Sequence, residues 1–295
     1  MTARTPAGAW LLAALLLSGV CLGARADNAH HIFWEVRGKH NTVYLLGSVH
    51  MLKAGDSALP PEALRAYAAS KGLVMELNLN DADVGALLGE GSELEMLPEG
   101  QSLDKLIGST LWAQLLARMQ PLGIDADTLN RFQPWFAALM LQQMELMKSG
   151  FEAASGVDEQ LALMAQTDGK PIVGLETVDD QLGYFAHLSQ DQQRQFLRSA
   201  LDDSSSAGGE TAAIVRAWQQ GDTVALERLL REGSSDAPDV YRVLTTDRNR
   251  RWLPKIVALL NGDDNYLVVV GALHLIGHDG LVELLQHAGY TPIQH

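Results

Sequence analysis

The run Leu267-Val268-Val269-Val270-Gly271-Ala272-Leu273-His274, near the end of the chain, decides the fold. A short apolar run rich in β-branched residues reads as a buried strand. A second run, Val43-Tyr44-Leu45-Leu46-Gly47-Ser48-Val49-His50, ends in the same way, with Gly-x-x-His. Each pattern places an imidazole at or just past the end of a strand. In an open α/β sheet, ligands and chemistry gather at that edge.

Working outward, His31 to Val36 and Asn41 to Leu46 read as two strands joined by a turn at Gly38-Lys39-His40-Asn41. Pro60-Pro61 opens a helix over Glu62 to Ser70, and Leu73 to Leu77 is the next strand. The spacing predicts helices over Asp104 to Met119, Trp135 to Met147 and Glu159 to Gln166, then a short strand over Pro171 to Glu176. Residues 179 to 235 read as helical, broken by a small, polar loop at Asp202 to Gly209. Tyr241 to Leu260 is a helix that Pro254 should kink or split. A helix at Leu281 to His287 and an edge strand at Tyr290 to Ile293 close the chain. The expected architecture is α/β. A central mixed sheet is built from N-terminal and C-terminal strand groups, with a large helical insert or cap over about 177 to 260.

The first 26 residues stand apart. Arg4, the apolar stretch Ala7 to Val20 and the small-x-small triplet Ala24-Arg25-Ala26 read as a secretory signal peptide cleaved near Ala26. The expected location is therefore periplasmic or secreted. Lipid attachment at Cys21 is the weaker alternative, because Val20 stands where a small residue is expected. No later segment approaches the roughly 18 apolar residues of a membrane span, so no stable span is expected in the mature chain.

Of 295 residues, 47% are hydrophobic and 20% charged, enough for a sizeable core. The net charge is −14, and loss of Arg4 and Arg25 with the signal makes it −16. Such acidity disfavours binding to nucleic acid through phosphates. Cys21 is the only cysteine, so the mature chain has no thiol for catalysis or for a zinc-thiolate site.

Four apolar segments end in or near an ionisable residue: His50, Glu76, Glu176 and His274. Two imidazoles with one or two carboxylates suit Zn, Mn, Co or Fe as divalent ions. A carboxylate left over can act as general base. Arg248 could balance the carboxylates or hold a substrate oxyanion. Asp158 reads as a helix cap or as a member of the ligand network. His278 follows His274 by four, but Gly277 and Gly280 argue against a regular helix there. A methionine stripe at Met140, Met144 and Met147 reads as packing or as the wall of an apolar pocket. H-E-x-x-H, G-x-S-x-G, the P-loop and G-x-G-x-x-G after a strand are all missing.

At these residues the sequence resembles the TraB/GumN family, which includes the animal Tiki proteins. The matching features are Leu46-Gly47-Ser48-Val49-His50, Met75-Glu76-Leu77, Gly156-Val157-Asp158, Gly174-Leu175-Glu176-Thr177, Asp247-Arg248-Asn249 and Val270-Gly271-Ala272-Leu273-His274. The resemblance implies a metal-dependent hydrolase, a peptidase or amidohydrolase acting on a peptide or a small amide or ester. His50, His274 and Glu76 or Glu176 would hold the metal. Related erythromycin esterases and haem-binding ChaN-like proteins keep two other roles open: a metal-free hydrolase with His50 or His274 as general base, and a non-enzymatic binder of haem or another ligand.

Overall fold

The computed structural model describes residues 31–56, 59–78, 93–203, 207–235 and 237–295. The signal segment, Cys21, residues 79–92 and residues 204–206 of the expected loop lie outside them. Six strands form one sheet: β1 (Phe33–Arg37), β2 (Thr42–Ser48), β3 (Gly72–Met75), β4 (Ile172–Gly174), β5 (Tyr266–Gly271) and β6 (Ile293–Gln294). Their order is β4-β3-β5-β2-β1-β6. The β4-β3, β3-β5 and β5-β2 pairs are parallel, whereas β1 is antiparallel to both β2 and β6. The sheet is therefore mixed, and the fold is α/β.

The placement of β5 follows from its composition. Leu267 through Val270 are all buried, which is the behaviour of a central strand covered on both faces. It slots between β2 and β3, although it comes from the other end of the chain. Ser48 on β2 pairs with Gly271 on β5, so the segments bearing His50 and His274 leave adjacent parallel strands at the same level. Glu76 follows β3 on the other side of β5, and Glu176 follows β4 beyond it.

The helices are α1 (Pro61–Ala69), α2 (Leu103–Ile107), α3 (Ser109–Met119), α4 (Ala126–Leu129), α5 (Pro134–Lys148), α6 (Val157–Asp168), α7 (Val178–Ala186), α8 (Gln190–Asp203), α9 (Ala207–Gln219), α10 (Thr223–Ser234), α11 (Pro238–Tyr241), α12 (Asp247–Leu260) and α13 (Leu281–His287). Strand residues pack with α1, α6, α9, α12 and α13 in the main core. A separate core joins α2, α3, α4, α5 and α8 through Leu103, Leu115, Leu129, Leu141 and Leu197. Met140 and Met144 pack against that second core, while Met147 is 58% exposed. Two of the three stripe residues therefore serve helix packing.

Several local expectations change. The segment 104–119 is two helices, because the chain turns at Gly108 with φ of +81°. Asp202 and Asp203 end α8, and Ala207 to Gly209 already belong to α9. Helix α12 runs through Pro254, and the irregularity lies upstream, in the π-helical turn Arg242–Thr246. The last strand starts at Ile293, where it pairs with β1. Among the described residues, no helix is long and apolar enough to cross a membrane.

Gly47 is needed for close approach rather than for a turn. Its amide donates to Ile32 O at 2.7 Å, and its carbonyl accepts from Trp218 Nε1 at 2.7 Å. A Cβ there would lie 2.2 Å from Ile32 Cγ2 and 2.9 Å from Ala272 Cα. Gly47→Ala should therefore cost about 1–3 kcal/mol, the usual penalty of overpacking. Urea denaturation measures it, and an unchanged midpoint would show that the neighbours yield freely.

Candidate functional site

Helix α12 supplies the centre of the site. Arg248, Asn249 and Trp252 stand at i, i+1 and i+4, and all three are buried against the strand ends. The π-helical turn before them opens the backbone, and Arg248 Nη1 donates to Leu244 O at 3.1 Å. Such turns recur at functional sites because they expose a carbonyl that a regular helix would use.

Arg248 lies between the two glutamates. Nη2 donates to Glu76 Oε2 at 2.5 Å and to Glu176 Oε1 at 2.5 Å. Nε donates to Glu176 Oε2 at 3.3 Å, and Nη1 stands 3.3 Å from His274 Nε2. With Leu244 O, these contacts employ all five guanidinium N–H groups. The guanidinium carbon also lies 4.7 Å from the Trp252 ring centre and 5.6 Å from that of Tyr184. Glu176 accepts in addition from Trp252 Nε1 at 3.2 Å and Gln181 Nε2 at 3.4 Å.

Both histidines have fixed ring orientations. Asn249 Nδ2 donates to the carbonyls of His274 and Asp279, which turns its Oδ1 toward His274 Nδ1, 2.7 Å away. Nδ1 of His274 therefore carries the proton, and Nε2 keeps its lone pair, as the Arg248 contact requires. His50 Nδ1 lies 2.8 Å from Asp158 Oδ2, so it donates there and its Nε2 turns toward the site. Asp158 is delivered by the start of α6, where the Val157 amide donates to Val49 O at 3.1 Å. Of its two possible roles, Asp158 therefore takes the one in the histidine network, and Gly156 is the helix cap.

The groups converge on Gly271. Its amide donates to Glu76 Oε1 at 2.8 Å. A Cβ on Gly271 would lie 3.3 Å from Glu76 Oε1, 3.6 Å from His50 Nε2 and 3.6 Å from His274 Cδ2. Glycine leaves this small space free. His50 opens to solvent, with 64% of its side chain exposed, whereas His274 is 7% exposed. A cavity of about 200 Å³, lined by Leu77, Gly174, Glu176 and Lys255 among others, lies beside Glu176.

Environment separates the titrating groups. Burial opposes ionisation of Glu76, but His274, Arg248 and His50 outweigh it and hold the carboxyl at about 2. Burial pushes His274 down to about 4, so it is neutral at neutral pH and the compensation for Glu76 then falls mainly to Arg248. Burial raises Glu176 above the usual range, against the pull of Arg248. The Asp158 carboxylate raises His50 to about 9. Water screens part of that attraction at so exposed a ring.

The structure brings together His50, Glu76, Glu176, Arg248 and His274. His278 is elsewhere, paired with Glu283 at 2.9 Å on the surface. Trp252 carried no sequence signal, and Asn249 entered only as part of the motif Asp247-Arg248-Asn249, with no role attached. Imidazoles and a carboxylate are donor types that divalent ions take. Among the described residues, however, no three His, Cys, Asp or Glu side chains are gathered closely enough to hold a metal. Arg248 stands on Glu76 and on His274 Nε2, where an ion would have to be.

Fold and site define an α/β protein with a buried His-Glu-Arg cluster at the ends of parallel strands. The profile of the TraB/PrgY/gumN family matches residues 32–294, and the chain belongs to that family. It is 26% identical over 251 residues to the uncharacterized protein YbaP of Escherichia coli, covering 82% of this chain and 87% of YbaP. It is 23% identical over 333 residues to the metalloprotease TIKI2 of Xenopus tropicalis, covering 94% of this chain and 62% of TIKI2. An uncharacterized protein of Treponema pallidum is 24% identical over 219 residues, with 73% of this chain and 65% of that protein covered. No solved structure matches.

Two outcomes follow from this geometry. Asp158→Asn should bring the His50 titration, read by NMR of the imidazole, from near 9 back toward the ordinary 6.5. Because the native value is raised, this pair stabilises the fold fully below about 6.5, and the contribution fades as pH rises through about 9. Asn249→Ala removes three hydrogen bonds, two of them buried, and should cost about 2–4 kcal/mol in urea unfolding. A loss under about 0.5 kcal/mol would mean that the bonds are remade elsewhere.

Proposed function

We propose that this chain is a divalent-metal-dependent hydrolase of peptide bonds, or of small amide or ester bonds, that acts after export. The convergence of His50 Nε2, Glu76 Oε1 and the His274 ring on the space left by Gly271 carries this reading. Membership of a family that includes the TIKI metalloproteases supports it. His50, His274 and Glu76 would hold the ion, which would activate water and polarise the carbonyl.

The rest is done by the protein. Asp158 and Asn249 accept the two Nδ1 protons and so turn both Nε2 atoms inward; that of His274 is a lone pair at neutral pH, and that of His50 becomes one when its second proton is lost. Glu76 presents an oxygen to the shared space. Glu176 does not, since Arg248, Trp252 and Gln181 occupy its oxygens, and its part is to anchor Arg248. The exposed edge of His50 is the way in for substrate. The buried edge at His274 and Trp252, with ring centres 4.6 Å apart, keeps the inner wall dry.

Elemental analysis before and after loading tests the proposal, together with hydrolysis of a mixed peptide library. Wild-type protein should take up close to one ion per chain, and a chelator should abolish cleavage. His50→Ala and His274→Ala should each lose the ion and at least about 100-fold in kcat/KM. Less than about 0.2 ion per chain after loading would refute metal dependence. One observation favours a metal-free route: the His50–Asp158 pair has the geometry of an oriented general base. That route requires activity that survives the chelator and rises as pH approaches about 9, where the ring loses its proton.

A further inference from the structure

Strand β4 is an edge of the sheet, since β3 is its only strand partner. In a parallel ladder, alternate residues bond to a given neighbour. The Leu73 amide donates to Pro171 O at 2.9 Å, and the Leu175 amide donates to Met75 O at 2.7 Å. The backbone of Pro171, Val173 and Leu175 therefore faces β3. The N–H and C=O groups of Ile172 and Gly174 face the other way, and no hydrogen bond is made to them among the described residues. Water reaches this edge, for Val173 is 52% exposed. An open edge is a template for pairing with another chain. With three residues, β4 offers four backbone groups, which suits a short peptide rather than a second sheet.

The edge leads to the site. Strand β4 runs on into Glu176, which Arg248 joins to Glu76. The cavity of about 200 Å³ is bounded by Gly174, the last residue of β4, by Glu176 and by Leu77, which follows β3. It therefore lies at the ends of the two strands that separate the edge from β5. A strand added to β4 would stand three strand spacings from β5, about 14 Å. About four extended residues span that distance.

On this basis, and resting on the peptide-hydrolase reading above, we propose that the outer edge of β4 is the docking strand for substrate. An extended peptide adds to the sheet through backbone bonds to Ile172 and Gly174, passes the cavity, and reaches the space at Gly271 about four residues further on. Docking of this kind is independent of how water is activated. The substrate is then a peptide of at least about seven residues in extended form, three on the edge and four across the span, rather than a small amide or ester. Backbone bonds supply affinity with little regard to sequence, and the cavity takes one side chain.

Hydrogen exchange of single amides, read by NMR, tests this with a capped peptide of about ten alternating valine and lysine residues, long enough for edge and span. In the free protein the Ile172 and Gly174 amides should exchange quickly and the Val173 amide slowly. With peptide at about 1 mM, Ile172 and Gly174 should slow at least about tenfold, while Val173 stays as it was. No change at those two amides would overturn the docking edge. Cleavage gives a second readout, on the best substrate from the peptide library. Single N-methyl groups placed about four to seven residues from the scissile bond should raise KM about tenfold at alternate positions, with kcat little changed. A uniform effect, or none, would overturn the pairing. Protection of both amides without cleavage of any library peptide would uphold the docking edge and remove the hydrolase reading. Cleavage without protection would do the reverse.

Discussion

The site depends on one buried cation. Glu76 and Glu176 have 10% and 2% of their side chains exposed, and Arg248 has 8%. Two carboxylates this deep cannot both remain ionised without a counter-charge. Arg248 supplies it, and its five N–H groups also bind Leu244 and His274. The ends of β3, β4 and β5 and the start of α12 are thereby tied together by a single side chain. The π-helical turn before α12, the tilt of Trp252 over His274 and the tautomer imposed by Asn249 all serve that centre.

Such an arrangement differs from a rigid, preformed metal cage. The histidines are oriented from behind, by Asp158 on α6 and Asn249 on α12. Of the two, His274 faces the guanidinium of Arg248. The two imidazoles also differ in environment. His50 lies at the solvent edge and is raised by a carboxylate, while His274 is buried and lowered by that burial. The site has a wet side and a dry side, and the difference arises because α12 and Trp252 cover only the β5 end.

Much of this was legible in the residues. Three consecutive valines in Val268-Val269-Val270 mark a strand with no polar face, and Gly-x-x-His twice marks two imidazoles at strand ends. Glu76 and Glu176 stood out because an acid that closes an apolar run is expensive to bury without a partner. Trp252 was not legible as a site residue, and the role of Asn249 within its motif was not, since nothing local distinguishes a helix residue that faces a histidine from one that faces solvent. The break at Gly108 and the continuity of α12 across Pro254, where a split was one of two expected outcomes, escape local patterns for a related reason. Periodicity does not register a single left-handed residue, and packing of α12 at Trp252 and Ile256 can hold a helix together across a proline.

The sequence by itself determined which segments are strands, that two end in histidine and two in glutamate, and that the class is α/β. Those properties follow from side-chain polarity at short range. Only the tertiary structure decided that β5 enters between β2 and β3, so that residues 224 positions apart become neighbours. It also decided that Gly271 stands at their meeting point and that Arg248 belongs to both carboxylates at once. Strand order and the sharing of one cation among several acceptors are set by long-range packing and by charge compensation in a buried volume, and no local pattern of residues encodes either.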